Sequence, residues 1–340
     1  QVTDSLKKAG VEYIELPGVK PNPRLSLVRK GIRLCREHGL NFILAVGGGS
    51  VIDSAKAIAL GAVDDGDVWD FYGGLREATA ALPVGVVLTI PAAGSESSTG
   101  SVITNEETAD KRAYDNELLR PRFALMNPEL TYSLPAYQTA CGASDIMAHI
   151  MERYFTRVQH VDLTDRLCEA TLKTVIRNTP IVLETPEDYD ARAEIMWAGS
   201  IAHNGLLGTG RIEDWASHMI EHELSAINDV AHGAGLAIVF PAWMRYVYKQ
   251  DVSRFAQFAV RVWNIEMDFF EPERTALAGI EAIKSFYESI GLPTSLGEIG
   301  ITPTHYERIA TNCRRTSGDR VGSFMPLNSD DIINILKLAK

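Results

Sequence analysis

Residues 41–62 read NFILAVGGGSVIDSAKAIALGA, and the reading of this stretch decides the fold. NFILAV is an almost wholly apolar run, the pattern of a strand covered on both faces. Gly47, Gly48, Gly49 and Ser50 follow, and VIDSAKAIALGA then has the composition of a helix. A strand that ends in glycines and opens a helix is a unit of a parallel α/β sheet. With no side chains in the way, backbone N–H groups at the positive end of that helix can approach an anion closely. Ser50 is placed to cap the helix, with Asp53 three residues on completing a capping box. The loop is neither a G-x-G-x-x-G nor a Walker sequence, so by itself it does not name the ligand.

Working outward, the alternation continues. VTDSLKKAG (2–10) predicts a helix, VEYIELPG (11–18) a short strand and LSLVRKGIRLCREHG (25–39) a helix ending on glycine. VGVVLTIP (84–91) predicts a second buried strand, which runs into the small-residue loop AAGSESSTG (92–100). Ligands of open α/β sheets sit beyond the carboxyl ends of the strands, so two such loops point to one nucleotide site. The alternation opens on a helix, and a first strand with its phosphate loop is expected to be missing from this chain.

From Ala136 onward the pattern changes to long amphipathic stretches such as 137–155, 163–179 and 274–291. The predicted fold is therefore an α/β domain with a nucleotide site over residues 1–134, built on a parallel sheet (a dinucleotide-binding domain by the resemblance given below), followed by an all-α domain over 135–340. Pro128 and Pro135 punctuate the boundary.

Composition narrows the function. The 340 residues are 46% apolar and 23% charged, as in a soluble globular protein. A net charge of −11 argues against nucleic acid and against anionic membrane surfaces. No apolar stretch is long enough to span a bilayer, and no signal peptide is evident. The four scattered cysteines fit thiols of a reducing compartment, so a cytoplasmic location is expected.

The chain holds eight histidines, and three fall in HMIEHELSAINDVAHG (218–233). His218 and His222 share a helix face at i,i+4, and His232 precedes Gly233-Ala234-Gly235, where backbone can come close to something. Asp145 and His149 form a second i,i+4 pair inside an apolar helical stretch. A lone histidine is more often a hydrogen-bonded structural residue than a ligand. The conjunction of two such pairs with a third histidine beside glycines predicts a transition-metal site, for which carboxylate with imidazole suits Fe(II) or Zn(II). Of the remaining histidines, His203 in AHNG is the hardest to dismiss as structural.

GGGSVIDSAKA, TIPAAGSESS, the Asp-x-x-x-His of GASDIMAHIMERYF and SHMIEHELSAINDVAHGAGLAIVFPAW together resemble the iron-containing (group III) alcohol dehydrogenases, over essentially the whole chain. Within that family the likeness is to the butanol dehydrogenase and broad-range aldehyde reductase branch. The resemblance implies a metal in the cleft between the two domains, held by Asp145, His149, His218 and His232. It implies that His222 lies by the nicotinamide and handles protons rather than binding the metal, and imidazole titrates near neutral pH. Gly48, Gly49 and Ser50 would contact the pyrophosphate; Thr89, Ser98, Lys111 and Leu130 would line the adenine or nicotinamide-ribose side; Asn22 would lie near the nucleotide.

The implied reaction is hydride transfer between NAD(P)(H) and a short-chain, butanol-like alcohol or aldehyde, with NADP(H) slightly ahead of NAD(H) and Fe(II) ahead of Zn(II). The expected assembly is a homodimer. Two departures touch the cofactor: Ala93 stands where many relatives carry Thr, and Ser98 where close relatives carry Asn or Thr. The rival readings are a glycerol dehydrogenase-like polyol oxidoreductase, a metal-dependent hydrolase or lyase, and a catalytically silent truncated form.

Overall fold

A computed structural model describes residues 1–108, 110–317 and 320–340. The first part of the chain carries helices α1 (Val2–Lys8), α2 (Leu25–His38), α3 (Gly49–Ala62) and the single turn α4 (Trp69–Tyr72). Strands β1 (Ile43–Gly47), β2 (Val84–Leu88) and β5 (Phe123–Leu125) form a parallel sheet in the order β1-β2-β5, with Ile43 opposite Val84 and Gly85 opposite Phe123. Between them, β3 (Gly100–Asn105) and β4 (Asp110–Asp115) make a separate antiparallel hairpin.

The deciding stretch folds as a strand, a glycine turn and a helix. β2 is buried along its length, as its unbroken apolar run requires. β1 differs from expectation. Among the described residues it pairs with β2 alone, and Val46 is 42% exposed, so this strand is not covered on both faces. The capping expectation also fails. Gly48, not Ser50, is the N-cap of α3, and the Asp53 carboxylate turns away to accept from Ser95 Oγ (2.6 Å) and Val102 N–H (3.0 Å). Tying two neighbouring segments to α3 satisfies more donors than a local box would.

VEYIELPG does not form a strand. It runs extended without a ladder partner among the described residues, and Val11 and Ile14 stay partly exposed. The β3–β4 hairpin escaped the sequence reading because DKRAYD is dominated by charge, and two of those charges, Asp110 and Lys111, are buried rather than solvated.

Residues 136 onward are helical, as predicted: α5 (Ala136–Tyr154), α6 (Asp162–Glu184), α7 (Tyr189–His203), α8 (Ala216–Asn228), α9 (His232–Val247), α10 (Val252–Trp263), α11 (Pro272–Ser289), α12 (Tyr306–Ser317) and α13 (Ser329–Leu338). α5 and α9 pack together at the centre, buried nearly all round. A helix that hydrophobic on every face belongs inside a core. Gly233 permits the contact, since a Cβ there would lie 1.9 Å from the Cys141 carbonyl oxygen. The four cysteines are buried, and no helix among the described residues is long and apolar enough to cross a membrane.

Candidate active site

The site is assembled where α5, α8 and the start of α9 meet. Asp145, His149 and Glu152 occupy positions i, i+4 and i+7 of α5 and therefore one face. His218 and His222 share a face of α8, and His232 is the first residue of α9. The glycines after His232 do what their sequence position suggested: Gly233 lets α9 abut α5, and Gly235 lies where a Cβ would be 2.7 Å from the Glu221 side chain.

The structure brings the four predicted ligands together. Asp145 Oδ1 lies 3.2 Å from His149 Nδ1, 4.0 Å from His218 Nε2 and 3.8 Å from His232 Nε2. Asp145 Oδ1, His149 Nδ1 and His218 Nε2 are buried with no hydrogen-bond partner. Leaving three converging polar atoms unsatisfied in a dry core costs roughly 1–3 kcal/mol each, unless something occupies their common focus. One carboxylate and three imidazoles are the donor set of a borderline divalent cation, so the residues fit a metal.

Two carboxylates that the sequence reading missed hold the ligand rings from behind. Glu152 accepts from His218 Nδ1 (2.7 Å), from His218 N–H (3.1 Å) and from Trp215 N–H (2.7 Å). Glu221 pairs closely with His232 Nδ1 and with the Ser225 hydroxyl, and Lys111 Nζ lies 3.7 Å away. A carboxylate on one ring nitrogen fixes the tautomer and turns the other nitrogen's lone pair toward the metal position. Glu152 was within reach, since it continues the Asp145–His149 spacing by one more turn. Glu221 was not, because its partner comes from the next helix.

Burial keeps the His149, His203, His218 and His222 imidazoles neutral, the form in which an imidazole binds a cation. Burial pushes His218 down to about 3 and holds His149, His203 and His222 well below the ordinary histidine range. Burial lifts Asp145 to about 6 against the pull of His232, and lifts Glu152 to about 8. Glu221 goes the other way. Burial alone would raise it, but His232 and Lys111 outweigh that and hold it near 2.

His222 lies beside the cluster, its ring centroid 5.5 Å from that of His232, and it can share a site with Glu221 and His232. Its expected titration near neutral pH is corrected by the structure: burial, with Lys111 and His232 close by, keeps the ring neutral. His203 belongs to the same neighbourhood. Its ring centroid is 4.3 Å from that of His149, and its Nδ1 is 3.0 Å from the Ala93 carbonyl, to which it donates.

The two small-residue loops lie side by side. A Cβ on Gly48 would be 3.0 Å from Ile90, and one on Gly49 would be 3.0 Å from Ala93. Thr89 N–H bonds the Gly47 carbonyl at 3.1 Å. Gly48, Gly49, Ser50 and Thr89 therefore gather at the carboxyl ends of β1 and β2, and the Ala92–Ser98 loop reaches α7 through Ser97 and Ser200 (3.2 Å) and through Glu96 and Ser200 (2.7 Å).

The other predicted nucleotide residues are more dispersed. Ser98 is buried, with its hydroxyl 3.3 Å from Lys56 Nζ. Lys111 faces Glu221 on the metal side. Leu130 lies in a single 3-10 turn, Pro128–Thr131, and Asn22 donates to Asp229 at the end of α8.

Known proteins agree with this architecture. Residues 1–128 match the family model described as iron-containing alcohol dehydrogenase, and residues 139–340 match that of the Fe-containing alcohol dehydrogenase family, C-terminal. The probable NADH-dependent butanol dehydrogenase 2 of Bacillus subtilis (strain 168) is 45% identical over 338 residues, covering 99% of this chain and 87% of that protein. The NADPH-dependent aldehyde reductase YqhD of Escherichia coli (strain K12) is 41% identical over 304 residues, covering 88% of this chain and 78% of that one. The crystal structure of NADH-dependent butanol dehydrogenase A from Thermotoga maritima superposes with a TM-score of 0.96 at 42% identity, covering 99% of this chain and 86% of that one.

The chain belongs to the iron-containing alcohol dehydrogenase family, in the branch of the butanol dehydrogenases and this aldehyde reductase. It is an NAD(P)-dependent, metal-dependent alcohol dehydrogenase or aldehyde reductase, and the polyol and silent readings are the less favoured ones.

Proposed function

We propose that the chain interconverts short-chain, butanol-like alcohols and aldehydes with NAD(P)(H), and that Asp145, His149, His218 and His232 hold its divalent metal. The observation that carries the proposal is the convergence of three buried, unpartnered donor atoms on one point. All four donors being present favours this reading over a glycerol dehydrogenase-like site with fewer protein ligands. The metal supplies Lewis acidity toward the substrate oxygen, and the nicotinamide supplies the hydride chemistry.

The remaining work falls to the chain's own residues. Glu152 and Glu221 fix the tautomers of His218 and His232, so that both lone pairs face one place. The ring of Trp215, 5.0 Å from that of His218, covers one side and excludes water. Gly48, Gly49 and Ser50 present backbone N–H groups of the α3 start to the pyrophosphate. Thr89, Ser98, Lys111, Leu130 and Asn22 are assigned to the rest of the nucleotide. His222, neutral and adjacent, passes the proton between substrate oxygen and solvent.

We divide the chain into a nucleotide-binding domain over 1–134 and a metal and substrate domain over 135–340. Iron is preferred to zinc. The NADP(H) expectation is set against NADH in the names of the butanol dehydrogenases and supported by NADPH in that of the reductase. A cytoplasmic homodimer completes the proposal. The test is oxidation of NADH and NADPH with butanal by chelator-stripped protein, with and without Fe(II) or Zn(II). Turnover that returns only with metal is expected, and undiminished turnover by the stripped protein would contradict the proposal.

A further inference from the structure

Two non-glycine residues in the left-handed region meet across the cleft. Asn22 has φ 54° and Asp229 has φ 50°, and Asn22 Nδ2 donates to Asp229 Oδ1 at 2.9 Å. Arg24 Nη2 reaches the same oxygen at 3.2 Å. Such backbone conformations persist only where surrounding contacts over-determine them.

Each side of this clasp leads to one half of the site. On the α/β side, the Pro23 carbonyl accepts from Thr104 N–H of β3 (2.8 Å). β3 is in turn bound to Asp53 of α3 through Val102 N–H (3.0 Å) and the Ser101 hydroxyl (3.0 Å, to the Asp53 carbonyl). The KPNPR turn is therefore tied through β3 to the helix behind the glycine loop. On the helical side, Asp229 is the left-handed C-cap that ends α8, its N–H bonding the Ser225 carbonyl at 2.9 Å. Only Val230 and Ala231 separate it from His232. The α/β half reaches His232 by a second route, through Lys111 of β4 on Glu221 of α8, which holds the His232 ring.

We propose that Asp229 is a positioning residue: its carboxylate, held by Asn22 and Arg24, fixes the α8–α9 turn that presents His232, so tight metal retention requires the KPNPR turn docked on it. This rests on the reading of Asp145, His149, His218 and His232 as the metal site. Of the four proposed ligands, His232 alone opens a helix directly after the turn that the α/β half clasps. Its place is thus set from outside the helical bundle, whereas Asp145, His149 and His218 lie within helices of the core.

The test uses the full chain and Co(II), with dissociation constants from chelator competition and coordination followed by the visible d–d bands. Asp229→Gly removes the carboxylate while keeping an easy left-handed backbone, and Asp229→Asn keeps an acceptor for Asn22 and Arg24. Asp229→Gly is expected to weaken Co(II) binding by about tenfold and to alter the d–d bands, with Asp229→Asn restoring both. In a His232→Ala background, where binding is already weaker, Asp229→Gly should change Co(II) affinity by no more than about twofold, because the clasp acts through that ring.

Should Asp229→Gly fail to fold, Arg24→Gln reads the clasp from the other side and should weaken Co(II) binding several-fold. Unchanged Co(II) affinity and spectrum in Asp229→Gly, or an equal loss in both backgrounds, overturns the clasp alone. A wild-type chain that binds no Co(II) overturns the metal reading beneath it, and the clasp with it.

Discussion

Glu152→Gln separates the support of the metal site from the stability of the fold. Glu152 is wholly buried and receives three donors: His218 N–H and Nδ1 on Oε1, at 3.1 and 2.7 Å, and Trp215 N–H on Oε2, at 2.7 Å. Glutamine has the same length but one acceptor oxygen instead of two. With its oxygen kept on the His218 pair, its NH2 meets Trp215 N–H donor to donor. One hydrogen bond to a buried carboxylate is lost and one buried N–H is orphaned, each a matter of about 1–3 kcal/mol.

The neutral amide also removes a charge that burial disfavours, as the rise of Glu152 to about 8 records, and this offsets part of the cost. A net loss of about 1–3 kcal/mol follows, well inside the stability of a folded domain. The effect on metal is larger in relative terms. Turning the amide the other way relieves that clash but points its NH2 at His218 Nδ1 and imposes the opposite tautomer, so affinity should fall about 10–100-fold. Urea unfolding of the metal-free chain and Zn(II) competition against a chelating dye measure the two separately. Zn(II) affinity within about twofold of wild type would refute the claim that Glu152 orients His218.

Four further outcomes are expected. His222→Ala should retain its metal while turnover falls about 10²-fold or its pH profile shifts, as for loss of a general acid–base group; loss of metal would make His222 a ligand. Gly49→Val puts a side chain on the glycine turn against Ala93 (3.0 Å from the first added carbon) and should weaken NADH binding at least about tenfold by fluorescence titration. Gly233→Ala forces a carbon to 1.9 Å from the Cys141 carbonyl and should cost at least about 2 kcal/mol in urea unfolding, with metal affinity falling alongside.

Asp165→Asn breaks a buried cluster in which the carboxylate takes Arg254 (2.5 Å), Arg211 (3.0 Å) and Gln257 (3.0 Å), a loss of about 3 kcal/mol at pH 7. Although burial opposes it, these partners hold the Asp165 carboxyl below its ordinary value. The native state therefore binds fewer protons there than the unfolded chain, and the contribution is full above about pH 4 and lost as pH falls through the folded value. Wild type should lose stability on acidification with a steeper slope than Asp165→Asn. Parallel slopes would contradict that assignment.

The deciding stretch was legible because strand, glycine turn and helix each carry a local signal, and the same holds for the long helices after Ala136. The pairs Asp145–His149 and His218–His222 were legible for a related reason, since i,i+4 spacing places side chains on one face whatever the rest of the fold does; the choice of His232 over His222 as a proposed ligand came from the family resemblance. What escaped depends on contacts distant in the chain. DKRAYD reads as a solvated charged segment until Asp110 and Lys111 are buried against partners. VEYIELPG has strand composition, but a strand exists only beside another, and none lies there among the described residues. Ser50 and Asp53 suited a local cap, yet Asp53 found better partners in Ser95 and Val102. Glu221 and the Asn22–Asp229 clasp are long-range pairings that no spacing rule encodes. His222 was assigned a near-neutral ring from its ordinary pKa, and burial overrode that.

The measurement that bears most directly on the central claim is metal stoichiometry by elemental analysis of wild type and His218→Ala, each stripped and reloaded with Fe(II) or Zn(II). One tightly held divalent metal per chain in wild type, and its loss in His218→Ala with the fold intact by circular dichroism, is the predicted result. Equal metal in both proteins, or none in wild type, would contradict it.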